Sequence, residues 1–199
     1  MLFRSSVPIK GIDKSNKPFP VDYVLDYDTN KINDEKFEVI ALGGHSIEQI
    51  GIMTPEKVCF IGDSVFSSDI IQKYSLPYYY DVAKAIKSLE NFSLLEADYF
   101  VISHESEFLE KDEFLKLVKK NLSNIDKFIE QFLEILEEPQ TREDILETLT
   151  VLNDLHLDFN QYYLNFGAVC AFIEHLYFKN LIECSVEDGK LYFYRKALS

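Results

Sequence analysis

Apolar positions fall into two regimes along the chain, and the change comes near His104. Before it, short apolar runs end in Gly, Pro, Asn or Asp, the pattern of strands and turns. "VDYVLDYD" (21–28) and "KFEVIALGG" (36–44) read as strands separated by the polar turn "TNKINDE". "QIGIMT" and "KVCFIG" flank Pro55-Glu56 and read as a hairpin, and "ADYFVIS" (97–103) reads as a further strand. Two helices interrupt this series. "SDIIQKYSL" reads as a short one with Ser68 as its cap, and "DVAKAIKSLENF" has helical spacing with Asp81 as N-cap. Residues 1–20 hold three prolines and read as an irregular lead-in.

After His104 the period lengthens. Leu115, Val118, Leu122, Ile125, Ile129, Phe132 and Leu136 step by three and four, which predicts a helix or helix pair packed on its own domain. A short dimerising coil is the competing reading of the same stripe. Pro139 ends this segment, and Thr141 caps the next helix, "TREDILETLTVLND". "NQYYLN" reads as a short helix, and "GAVCAFIEHLYFKNL" as a third with Val169, Phe172, Ile173 and Leu176 on one face. "IECSV" and "KLYFY" enclose a turn at Asp188-Gly189, a hairpin signature. Three helices and a hairpin make the order of a winged helix. The domain reading is therefore 1–138 followed by 139–199.

Composition limits the function classes. The chain has 199 residues, 47% hydrophobic, which is enough for a real core. Its formal net charge of −14 repels nucleic-acid phosphate, and residues 139–199 hold only five Lys or Arg against nine Asp or Glu. Both facts weigh against DNA as a partner. No run is long and apolar enough to span a membrane, and the first residues lack a signal-peptide core. Cys59, Cys170 and Cys184 are odd in number and far apart, so a reduced, cytoplasmic setting is expected.

The candidate chemistry sits where strands end. His45 follows "ALGG", Asp63 follows "VCFIG" and His104 follows "DYFVIS". In a sheet whose strands run the same way, such ends meet along one edge. Two imidazoles and a carboxylate suit zinc, iron or manganese. His156 lies in a connector and His175 lies off the apolar face of its helix, so both read as structural or solvated. Tyr78, Tyr79 and Tyr80 read as core plus surface, with a pocket wall as the functional alternative.

The order "ALGGHS", "VCFIGDSVFSSDIIQKYSLPYYYDV", "ADYFVISHESEF" resembles the second half of the metallo-β-lactamase superfamily, in its glyoxalase II-like hydrolase branch. The resemblance covers about residues 20–110. It implies an α+β fold, the second half of an αββα sandwich, followed by the winged helix. It also implies a two-metal centre in which His45 holds one ion, His104 the other, and Asp63 bridges them. The family's H-x-H-x-D-H segment is not found in this sequence. The implied activity is metal-dependent hydrolysis of an ester, thioester or phosphodiester, with this chain expected to act as a fragment, inactive alone. A single sheet leaves its inner face open, so a homodimer or the missing N-terminal half is the expected partner. The alternative is a non-catalytic protein-interaction module on a remnant fold.

Overall fold

A computed structural model describes residues 24–25, 30–34, 36–104 and 108–197. Six strands form one sheet in sequence order: β1 (Lys31–Ile32), β2 (Phe37–Ala41), β3 (Ile50–Met53), β4 (Val58–Gly62), β5 (Tyr99–Ile102) and β6 (Leu109–Glu110). All neighbours are antiparallel except β4 and β5, which are parallel. A parallel pair needs a crossover, and α1 (Ser68–Tyr74) and α2 (Val82–Asn91) supply it. Then come α3 (Lys111–Ile135), α4 (Arg142–Leu152), α5 (Phe159–Phe178) and the hairpin β7 (Ile182–Glu187)–β8 (Lys190–Arg195).

Strand alternation sorts the sheet into two unlike faces. Met53, Cys59, Ile61, Phe100 and Ile102 are buried on one face. There Phe100 stacks on Phe114 of α3 at 3.8 Å, and Phe92, just after α2, meets both rings edge-on. The registers Ile52↔Phe60 and Phe60↔Val101 put these residues together on the other face. That face is only partly covered: Phe60 is 48% exposed, and Tyr99 packs against the exposed Phe108.

Several local expectations change in the folded chain. The cap of α1 is Ser67, whose hydroxyl accepts from the Ile70 amide; Ser68 instead accepts from Lys120 Nζ at 3.1 Å. The polar segment after residue 28 contributes β1, which pairs with β2. The strand expected at 21–28 lies mostly outside the described residues. Asp81 caps α2 through the Lys84 amide, and Thr141 forms a reciprocal capping box with Asp144, both as the sequence predicts.

The stripe on α3 is rotated from the expected one. Val118, Ile125 and Phe132 are buried, as is Leu136 just past the helix, but Leu115, Leu122 and Ile129 are only half-buried. Phe114, Leu117, Asn121 and Phe128 take the inner positions. The helix touches α1, α2, α4 and α5, so its burial must satisfy partners on more than one side.

The second and third helices expected after Thr141 are a single 20-residue helix, α5. Gly167 lies inside it, and a Cβ there would sit 3.5 Å from the Tyr78 ring, an ordinary contact. Residues 139–199 therefore hold two helices and a hairpin, with α3 packed beside them. Asp188 and Gly189 both have positive φ, as the tight hairpin turn requires.

Candidate functional site at the strand ends

β2 and β4 both run antiparallel to β3, and β5 runs parallel to β4. The C-terminal ends of β2, β4 and β5 therefore share one edge of the sheet. His45, Asp63 and His104 follow those three ends. Asp63 lies between the imidazoles: its Oδ1 is 3.3 Å from His104 Nε2, and its Oδ2 is 4.0 Å from His45 Nε2. The three residues singled out in the sequence do meet.

Each is held by backbone geometry that the sequence makes available. Gly44 has φ +149° and packs so tightly on α2 that a Cβ would lie 2.5 Å from the Ala85 Cα. The Gly44 carbonyl accepts from the Tyr80 and Asp81 amides, and Ser88 Oγ donates to the Gly43 carbonyl at 2.8 Å. This ties the "GGHS" loop to the start of α2. His45 Nδ1 is 3.2 Å from the Tyr78 carbonyl. A carbonyl only accepts, so Nδ1 is the donor in this contact, and Nε2 is the ring nitrogen that faces Asp63. Phe66 and Tyr78 pack edge-on against the ring at 5.7 and 5.4 Å.

Around Asp63 the chain turns sharply. Gly62 has φ +58°, and the β4–β5 register shifts between Phe60 and Gly62. Gln49 Nε2 spans the turn, donating to the Ile61 carbonyl at 3.0 Å and to Ser64 Oγ at 2.9 Å. Further along, buried Asn121 pairs with both backbone groups of Phe66 at 2.8 and 2.9 Å. Neither brace was recognised in the sequence. Asn121 did leave a signal, a polar residue four positions from Leu117 and from Ile125. His104 has φ +66° and a side chain 72% exposed, the most open of the three.

The trio opens into a cleft of about 370 Å³ between the sheet edge, α1 and α5. Leu76, Pro77 and Tyr78 line it from the loop before α2, and Gln161, Leu164 and Asn165 from α5. The tyrosine run splits accordingly: Tyr78 lines the cleft, Tyr79 is buried, and Tyr80 is half-buried. His156 is exposed. His175, expected to face outward, is only 8% exposed; burial pushes its pKa down, Lys179 adds to this, and Asp81 opposes both.

The donor types suit a transition-metal ion. Two ligands at about 2.0–2.1 Å from a tetrahedral ion lie about 3.3–3.4 Å apart, and the Asp63–His104 pair has that spacing. The number of donors is smaller than a closed site needs. Among the described residues, no group of three or more His, Cys, Asp or Glu side chains is arranged to hold one ion.

The sheet, its crossover helices and this edge define a mixed α/β fold with a polar cluster at parallel strand ends. The same fold occurs in a β-lactamase domain protein from Burkholderia ambifaria, with a TM-score of 0.65 and 18% identity over 90% of this chain and 53% of that one. It also occurs in a metallo-β-lactamase family protein from Thermus thermophilus, with a TM-score of 0.60 and 15% identity over 80% of this chain and 49% of that one. The chain thus spans about half the length of these structures. No family model matches the sequence, and no curated protein matches it. No helix among the described residues is long and apolar enough to cross a membrane.

Proposed function

We propose that the chain carries part of a metal-dependent hydrolase centre, with Asp63 shared between two ion sites and His45 and His104 each serving one. The observation that carries this reading is the carboxylate's geometry: one oxygen faces each imidazole, at 3.3 and 4.0 Å. The hydrogen bond from His45 Nδ1 to the Tyr78 carbonyl supports it, because it fixes the tautomer that leaves Nε2 free to ligate. Zinc, or iron or manganese in its place, would supply an activated water to an ester, thioester or phosphodiester. The residues themselves orient that chemistry: Gln49 braces the Asp63 turn, and Gly44 sets the His45 ring against it. Two donors per ion fall short of the usual three. A full centre therefore draws its other ligands from elsewhere, such as the partner half expected from the sequence.

Calorimetric titration of the chain with zinc tests the reading. Measurable binding that weakens at least tenfold in Asp63→Asn is expected. Absence of uptake of zinc, iron and manganese, or equal zinc uptake by the variant, would overturn it.

The open sheet face favours a second reading, a protein-interaction module. Ile50 and Phe60 are 43% and 48% exposed, and Phe108 is 62% exposed. On this reading a second copy of the chain or a complementary half covers that face, and the helical unit with its hairpin packs as an accessory wall rather than reading DNA. Light scattering at several concentrations tests it; a monomer throughout would count against it.

A further inference from the structure

The cleft beside Asp63 is chemically one-sided. α1 buries none of its residues, yet carries Ile70, Ile71 and Tyr74 on the cleft wall. Leu164 of α5 faces them, 41% exposed. A seven-residue helix that leaves two aliphatic side chains partly exposed and Tyr74 40% exposed keeps apolar surface in water that an apolar occupant of the cleft could cover.

Charge points the same way. No Lys or Arg lines the cleft among the described residues, and the whole chain carries −14. The polar groups on its far side are neutral amides. Asn124 Nδ2 donates to the Ser75 carbonyl and Asn165 Nδ2 to the Gln161 carbonyl, which leaves each amide one N–H and its oxygen. An anionic group there would meet amide groups but no Lys or Arg among the described residues, so its charge would be buried without a counter-ion.

We infer that this cleft, built by α1 and α5, is an acyl pocket, taking the uncharged apolar acyl chain of a carboxylic ester. The inference rests on the hydrolase reading for its orientation, with the ester carbonyl at the Asp63 end and the chain between Ile71 and Leu164. In the reaction it serves, the acyl carbon–oxygen bond breaks, water oxygen takes its place, and the alcohol leaves with one of the water's protons. Its size, about 370 Å³, falls in the range of small-molecule sites and is modest. α5 lies outside the stretch that carries the family resemblance, so its contribution was not readable from that resemblance.

The test uses neutral, non-hydrolysable probes: the N-methyl amides of butanoic, hexanoic and octanoic acids, with hexyl phosphate as the anionic comparison. Binding to the full chain is measured by calorimetry with a chelator present throughout. Affinity is expected to rise about fourfold per added methylene until the cleft is filled. Hexyl phosphate is expected to bind at least tenfold more weakly than the hexanoic amide. Leu164→Glu, at a half-exposed position that tolerates a charge, is expected to weaken the hexanoic amide at least tenfold. A flat amide series, a phosphate that binds as well as the amide, or an unchanged Leu164→Glu would each overturn the inference. Zinc titration reports separately. Zinc binding with a flat amide series removes the acyl pocket alone, whereas a rising amide series without zinc removes the hydrolase reading and leaves the pocket.

Discussion

Replacing Gly44 by alanine is the sharpest structural perturbation available beside the site. The added Cβ would lie 2.5 Å from the Ala85 Cα, 2.7 Å from its amide nitrogen and 2.8 Å from its Cβ. The two nearest atoms belong to the helix backbone, which moves only with α2 as a whole. The residue also has φ +149°, a conformation costly to any L side chain. Overpacking typically costs about 1–3 kcal/mol, and a strained backbone position about 1–3 kcal/mol more. The expected loss is about 2–6 kcal/mol, or about 4–24 °C in Tm for a chain of this size. Urea and thermal unfolding followed by circular dichroism measure it. Gly189→Ala is the control, since Gly189 has φ +77° with nothing within 4 Å of the added carbon, so it reports backbone strain without the clash. Ala85→Gly should not rescue Gly44→Ala, because it removes only the farthest of the three atoms. A Gly44→Ala loss below about 1 kcal/mol, or no larger than that of Gly189→Ala, would refute the close packing that sets His45 against Asp63.

Three further outcomes are expected. Tyr79 is buried with its hydroxyl unpaired among the described residues, so Tyr79→Phe should leave stability unchanged or raise it by about 1 kcal/mol in urea unfolding; a clear loss would show that the hydroxyl has a partner. His175 is held neutral by burial, so its folded pKa lies below the ordinary value. Its stabilising contribution is thus complete above about pH 6.5 and falls as acid charges the unfolded chain first; His175→Gln should flatten the stability profile between about pH 7 and pH 5, and an unchanged slope would count against this. Burial, with Glu38 adding, pushes the Cys59 thiol up to about 12, and Cys170 is buried too. A thiol reagent should therefore find one fast-reacting cysteine in the native chain, Cys184, with the other two appearing only on unfolding.

Much of the site was legible because it depends on local pattern. An apolar run ending in Gly and then a polar ligand type identifies a strand end, and three such ends identify a common edge if the strands are aligned. The order β2-β3-β4-β5, with its single parallel junction at β4–β5, supplies that alignment. The braces were harder to see. Gln49 and Asn121 act on residues 12 to 55 positions away in the chain, through hydrogen bonds that no local spacing encodes.

Sequence alone determined the strand and helix periods, the Asp81 and Thr141 caps, the Asp188-Gly189 turn and the three side chains at the strand ends, because each depends on neighbours within a few residues. Tertiary structure decided what depends on distant partners. It fused two expected helices into α5, rotated the buried stripe of α3 toward Phe114 and Asn121, turned His175 inward, and set Leu164 across a cleft from Ile71. The physical reason is that burial is shared between surfaces. A helix can bury any of several apolar faces, and the one it buries is chosen by the shape and polarity of what packs against it.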